Sequence, residues 1–395
     1  MDVDGLRQEL VEWLTGDGAS IRFLDDLFAE LCKRLVAMGL PLERATMHLR
    51  TLHPQFQAAR FLWAPGMNTA ELRRVTGPIF NQPAFLNSPV RALYEGAEGL
   101  RQRLDLGADM LDGTFPIYAE LSADGFTDYA ALPLVLSNGQ RIASSWTTRR
   151  PGGWHTEELM LIDGVRPVFA MAAEVRITRR IMRTLMETYL GERTGARVLE
   201  GRIDRGGVEH VEAAVGFIDL RGSSIYAEHA PQAAVIRRLN AFFETFGEPL
   251  VAAGGEILKF MGDAMLAVFV AADHADAADR AVAAARQGFA DLVLLNEDLR
   301  EAGEPPIACG LALHWGEVAY GNVGTPTRLD FTVIGPAVNL AARLQELGRN
   351  LGEPLVLSEH LARRCSTRNR SIGRHGLRSL DRRIEVFVPA EELLP

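Results

Sequence analysis

Two aspartates stand where apolar runs end. Asp219 closes a strand-like run over residues 212–219, and Asp263 follows Gly262 in a tight turn between two further runs, 256–260 and 264–270. Either carboxylate alone is ordinary, because aspartate often ends strands and Gly-Asp makes a good hairpin turn. If the first and third runs pair antiparallel, however, the two carboxylates converge at one edge of a sheet. Hard oxygen donors with little sulfur or histidine nearby suit Mg²⁺ or Mn²⁺. Asn339 and Arg343 lie four apart in a helical segment whose first position is Pro336, so they share a face. The amide offers neutral hydrogen bonds and the guanidinium a fork that matches a phosphoryl oxygen pair. Lys259 sits among Ile257, Leu258, Phe260 and Met261. Of the 42 basic residues only Lys33 and Lys259 are lysines, so a compact ammonium at this place reads as a point-charge donor aimed at a ligand.

The elements that must position these side chains follow from periodicity. Residues 212–219 read as a strand, 231–250 as a helix with Leu239, Phe242, Phe246 and Leu250 on one stripe, and 256–260 and 264–270 as two strands. An Ala-rich helix over 276–299 and a strand over 307–315 complete a β-α-β-β-α-β order, the ferredoxin-like arrangement, in which the first and third strands are antiparallel neighbours. Strands at 317–323 and 329–334, a helix at 336–347 and strands at 355–357 and 384–388 follow. In the first half, a helix over 22–39 is ended by Gly39 and Pro41, and strands at 45–51 and 60–63 precede loops and short elements up to Pro89. Residues 129–136 and 141–147 make a hairpin about Asn138-Gly139. Thr156, as an N-cap, opens a second helix, and a further helix over 168–190, stopped by Gly191, reads as an interdomain element.

Composition bounds the function. At roughly 150 residues per domain, a length of 395 gives about two to three domains. With 47% hydrophobic and 24% charged residues the chain is an ordinary globular one, and its net charge of −9 argues against a dedicated nucleic-acid or membrane-surface binder. No apolar run approaches the ~18 residues of a spanning helix. The N-terminus lacks a signal-peptide pattern. The three cysteines, Cys32, Cys309 and Cys365, are far apart and support neither a disulfide framework nor a metal knuckle. These features together read as a cytoplasmic protein.

Three segments carry a resemblance. Residues 217–224 (FIDLRGSS), 255–263 (GEILKFMGD) and 331–343 (FTVIGPAVNLAAR) resemble, in order and spacing, the signature blocks of class III nucleotide cyclases. The resemblance implies that Asp219 and Asp263, with the main-chain carbonyl of Leu220, hold two Mg²⁺ or Mn²⁺ ions. It makes Lys259 and Thr332 the pair that reads the base, Asn339 the group that orients the ribose and Arg343 the one that neutralises the transferring phosphate. Arg378 is the nearest match to a phosphate-contacting basic residue of the C-terminal hairpin, although Ser379 replaces the usual glycine. ATP is favoured over GTP, since guanylate cyclases resemble this pattern with Glu in place of Lys259. Family members pair head to tail, which implies a homodimer whose sites are shared between chains. A diguanylate cyclase is an alternative, because Gly254-Gly255-Glu256 is similar to the start of that family's signature, but Ile257 and Leu258 break it. A non-catalytic nucleotide-binding signalling module is a second alternative, and such degenerate domains usually lack a metal aspartate or the Asn/Arg pair.

The first half resembles a GAF-like sensor domain. The opening helix, the hairpin about Asn138-Gly139 and the loop from Arg149 to Glu158 carry that likeness. It implies an α+β regulatory domain over residues 1–172 that binds a small-molecule effector, a helical linker over 173–200 and a catalytic domain over 201–395. His48, His53 and His155 read as surface or hydrogen-bonded histidines rather than haem ligands, and Phe56, Phe61, Trp63, Phe80 and Phe85 as core.

Overall fold

The elements are seen in a computed structural model of the chain, which describes residues 2–50, 56–77, 79–105, 114–204, 206–272, 276–377 and 383–391. Residues Met1–Leu185 and Met186–Pro395 form two compact units.

In the first unit, helices α1 (Val3–Thr15), α2 (Asp17–Ser20) and α3 (Leu24–Ala37) lead into strands β1 (Arg44–Arg50), β2 (Ala58–Trp63) and β3 (Glu71–Val75). Short helices α4 (Pro83–Leu86) and α5 (Pro89–Tyr94), strand β4 (Leu100–Arg103) and helix α6 (Pro116–Ala123) precede the hairpin β5 (Asp128–Val135) and β6 (Arg141–Thr148). The six strands form one antiparallel sheet in the order β3-β2-β1-β6-β5-β4. Strand alternation assigns its faces. Ala45, Met47 and Leu49 of β1 join a core with Leu10, Phe28 and Phe169, whereas Arg44, Thr46 and His48 fall on the opposite face.

Helix α7 (Thr156–Leu190) corrects the reading of two separate helices: 35 residues run continuously through Pro167. A proline removes one N–H and crowds the preceding turn, yet the helix passes through it. The side chains on either side of it, Ile162, Val165, Phe169 and Ala173, hold the helix against the core. The cap is also displaced by one residue. Thr156 is already helical, and the His155 N–H donates to Glu158 Oε2 at 2.8 Å, the return half of a capping box.

The second unit begins with α8 (Glu192–Leu199), β7 (Val208–Arg221), α9 (Ser223–His229), α10 (Gln232–Ala252), β8 (Glu256–Met261), β9 (Ala264–Val270) and α11 (Ala277–Glu301). It continues with β10 (Ala308–Thr325), β11 (Arg328–Ile334), α12 (Pro336–Leu351), β12 (Leu355–Ser358), α13 (Glu359–Ala362), β13 (Asn369–Gly376) and β14 (Arg383–Pro389). The sheet order is β13-β14-β12-β10-β7-β9-β8, with β11 on β10. Its β10-β7-β9-β8 part is the ferredoxin-like order, so the chain is α+β as expected. Strand β10 corrects a second break. Residues 307–323 read as two strands, yet pairing with β7 runs unbroken from Ala308 to Gly321 and carries the chain across Gly316. Helices α10 and α11 cover one face through Phe242, Phe246, Ala281 and Phe289. Helix α12 covers the other through Ala337 and Ala341, against Ala213, Val215 and Val318.

The contact between α10 and α11 leaves no room at Gly288, where a Cβ would lie 2.5 Å from Cδ1 of the fully buried Phe246. Gly288→Ala is expected to destabilise the protein by about 1–2 kcal/mol, the overpacking cost less the helix propensity regained. Urea denaturation measures this, and an unchanged or raised midpoint contradicts the packing described.

Candidate active site

The site is built outward from β7. Asp219 lies opposite Ala264 of β9 and Gly310 of β10, and the Leu220 N–H donates to the Asp263 carbonyl at 3.3 Å. The antiparallel register therefore brings the two aspartates together at one end of the sheet, as their spacing predicts. Gly262 takes φ 66° in the β8–β9 turn, a left-handed conformation that glycine adopts without penalty. Gly222, at φ 73°, turns the chain from β7 into α9, and the Ser223 hydroxyl donates to Asp263 Oδ2. Asp219 Oδ2 accepts from Gln345 Nε2 at 3.2 Å and pairs with Arg349, both on α12. Neither Gln345 nor Arg349 stood out in the sequence. Their reach to Asp219 depends on which face of α12 meets the sheet, which spacing alone does not disclose.

Lys259 owes its direction to an irregularity. Ile257 pairs with Ala267 but Lys259 pairs with Leu266, so Leu258 is an extra residue in β8, a bulge that re-aims the side chains after it. Directly paired residues share a sheet face. Leu266 belongs to the α12 side, so Lys259 leaves the sheet on that side too. Its Nζ lies 3.8 Å from Asp330 Oδ2 on β11. Asp330 and Thr332 are two apart on that strand and project to the same side, so Lys259 and the buried Thr332 flank one place. Asp330 was not singled out in the sequence.

A second group supports that strand. The Glu256 carboxylate accepts from the Thr194 N–H at 3.0 Å, from Thr194 Oγ1 at 2.7 Å and from the Tyr320 hydroxyl. Burial, with Glu256 beside it, pushes the Tyr320 phenol well above its usual range, so it donates at any ordinary pH. The Tyr320 ring meets Phe331 edge-on at 4.8 Å, next to Thr332. Gly191 does more than stop a helix. At φ 85°, a Cβ there would come 3.1 Å from Glu256 Oε1, so the close approach of α8 to β8 requires glycine.

Helix α12 begins with Gly335 at its N-cap and Pro336 at its first turn, as expected. Asn339 is exposed and the Arg343 side chain is 38% exposed, its nearest acid being Glu346 at 3.9 Å. At about 100° per residue, Asn339 and Arg343 lie roughly 120° around the helix from Gln345 and Arg349. One face of α12 thus meets Asp219, and another, carrying Asn339 and Arg343, turns outward. The structure brings Asp219 together with Asp263, and Lys259 with Thr332, but it does not bring Asn339 or Arg343 onto the carboxylates. Arg378 lies outside the described residues.

Among the described residues no three His, Cys, Asp or Glu side chains gather as a metal cluster, so the candidate metal centre consists of the two aspartates and adjacent main chain. Their donor set, two carboxylates at one sheet end, is one a hard dication takes, and Arg349 now holds the Asp219 carboxylate that such an ion would share. No helix of the described residues is long and apolar enough to cross a membrane.

Comparisons with known proteins match the same segment to a family. Residues 208–366 match the family model of the adenylate and guanylate cyclase catalytic domain. The Mycobacterium tuberculosis protein named Uncharacterized protein Rv1318c is 36% identical over 276 residues, 67% of this chain and 49% of its own length. The chain spans about two fifths to one half of the length of the curated relatives it matches. Among solved structures, a bacterial light-regulated adenylyl cyclase is 29% identical, covering 46% of this chain and 91% of that one with a TM-score of 0.42. The guanylyl cyclase Cya2 is 26% identical, covering 46% and 92% with a TM-score of 0.42. The segment built on β7, from residue 208 to residue 366, is accordingly a nucleotide cyclase domain of the adenylate and guanylate cyclase family.

Proposed function

We propose that the protein is an adenylate cyclase that converts ATP to 3′,5′-cyclic AMP and pyrophosphate, with the N-terminal unit regulating it. The observation that carries this reading is the meeting of Lys259 with the Asp330–Thr332 side of β11. An ammonium only donates, and a hydroxyl can accept, which complements the ring nitrogen and amino group of an adenine edge. A guanine edge presents N–H donors where Lys259 also donates, so an ammonium at this position suits it less well.

In this reading the ribose 3′-OH attacks the α-phosphorus in line and pyrophosphate leaves, so positioning and charge stabilisation carry the catalysis. Asn339 holds the ribose, and the Arg343 fork takes charge on the transferring phosphoryl group. Asp219 and Asp263, with the Leu220 carbonyl, would hold two Mg²⁺ or Mn²⁺ ions, whose chemistry is Lewis-acid stabilisation of the attacking and leaving oxygens. The glycine turn at Gly222 leaves main-chain N–H groups near the same edge for phosphate.

Two observations support a homodimer with shared sites. Asn339 and Arg343 turn outward from the chain that carries them. Large apolar side chains beside the site residues are also exposed, Phe260 at 54% and Ile334 at 46%, as expected of a surface that a second copy covers. Closed two-fold pairing would place the outward face of α12 and the Lys259–Thr332 pair over the partner's aspartates.

Product analysis with purified protein, ATP or GTP, and Mn²⁺ or Mg²⁺ tests the assignment. ATP is expected to yield cyclic AMP faster than GTP yields cyclic GMP. Asp263→Ala should lower turnover about 100-fold or more; full activity in that variant contradicts the metal reading. Lys259→Glu should cut ATP turnover about tenfold or more, because the base edge is left unpaired. An unchanged ATP/GTP preference removes Lys259 from the base pocket.

A further inference from the structure

The second face of the N-terminal sheet is packed over β5 and β6 by Leu93, Tyr118 and Leu121, but over β1–β3 the described side chains leave space. Between β1–β3 and the residues of Ile79–Tyr94 and α6 lies a cavity of about 500 Å³, within the roughly 300–1,000 Å³ of small-molecule sites. Strand alternation lays its floor. Thr46 and His48 of β1 share this face with Arg60 of β2, which lies opposite His48, and with Arg73 of β3, opposite Arg60. Phe80, Phe85 and Tyr94 line it from the helical side. The sequence reading of Phe80 and Phe85 as core is corrected: they border open space, because the short helices that carry them stand off the sheet.

The floor is charged. Among the described residues, Arg44, Arg60, Arg73 and Arg74 line the cavity with one carboxylate, Glu120. Arg44 has Glu120 and Asp124 near it, and Arg73 pairs with Glu71 at 2.6 Å. Arg60 feels both the like charge of Arg73 and the Glu71 carboxylate that Arg73 already engages, and among the described residues its buried Nε has no hydrogen-bond partner. His48 does not add charge, since burial and the two arginines push its pKa down to about 3. It stays neutral and shares a 3.2 Å hydrogen bond with Thr46. A guanidinium held beside apolar walls with an orphaned donor costs free energy that an oxyanion with two adjacent oxygens would recover through paired N–H donors.

We propose that this cavity binds a small organic anion with an aromatic body, its acidic group held by Arg60 and its ring against Phe80, Phe85 and Tyr94. The proposal deepens the regulatory reading of the N-terminal unit and rests on it only for the consequence that occupancy alters turnover. Binding is read without nucleotide, so failure of this site and failure of the cyclase reading are distinguishable.

The test titrates the full-length protein with two fluorescent probes of the same aromatic body, 8-anilinonaphthalene-1-sulfonate and the uncharged N-phenyl-1-naphthylamine. The sulfonate is expected to bind once per chain and about tenfold or more tighter than the neutral probe. Arg60→Gln should weaken the sulfonate about tenfold and leave the neutral probe unchanged. Equal affinity of the two probes for the wild-type protein overturns the proposal whatever the variant does. A folded Arg60→Gln protein, judged by its melting transition, that binds the sulfonate as the wild type does overturns it as well. Should Arg60→Gln fail to fold, Tyr94→Ala replaces it, with weakened binding of both probes expected and undiminished binding of both contradicting the assigned wall.

Discussion

The antiparallel pairing of β7 with β9 on one edge and β10 on the other is the constraint on which the catalytic unit depends. It fixes Asp219 opposite Ala264 and so beside Asp263, and it carries β10 unbroken past Gly316 to the point where β11 can pair with it. A slip of one residue would turn Asp219 to the α10–α11 face, among Ile218 and Leu220. The core side chains hold the register against that slip, because Ala213 and Val215 are needed on one face and Ala214 and Ile218 on the other. The chemistry at the strand end is therefore positioned by packing well away from it.

The same frame explains how neighbouring elements are set. Helix α12 uses one face to dock on the sheet and to reach Asp219 through Gln345 and Arg349, which leaves Asn339 and Arg343 free to serve another surface. Strand β8 is held at its start by the Glu256 carboxylate, in contact with Thr194 of α8 and Tyr320 of β10. Its bulge then directs Lys259 toward β11. Residues just after the long α7 helix thus touch the strand that bears Lys259 through a single carboxylate.

The ferredoxin-like order was legible because apolar runs, a helical stripe and glycine turns agree locally from residue 212 onward. The site carboxylates were legible because strand ends and a Gly-Asp turn mark them. What escaped was what local sequence does not encode. Residues 307–323 and 156–190 each read as two elements, yet pairing along β10 and packing along α7 carry the chain through Gly316 and Pro167. Strand β13 alternates little and is largely exposed, so periodicity gave no sign of it. Arg349, Gln345 and Asp330 became part of the site only through the orientation of their elements, and Phe80 and Phe85 border a cavity because short helices do not pack closely on the sheet.

The most direct test of the account is complementation between Asp219→Ala and Arg343→Ala. Each variant alone should be nearly inactive. In a mixed dimer with shared sites, one site collects both lesions and the other none, so co-expression with random pairing should return up to about a quarter of wild-type activity. If the mixed pair stays silent while both variants still dimerise, each chain completes its own site, and the outward face of α12 has no part in a partner's active centre.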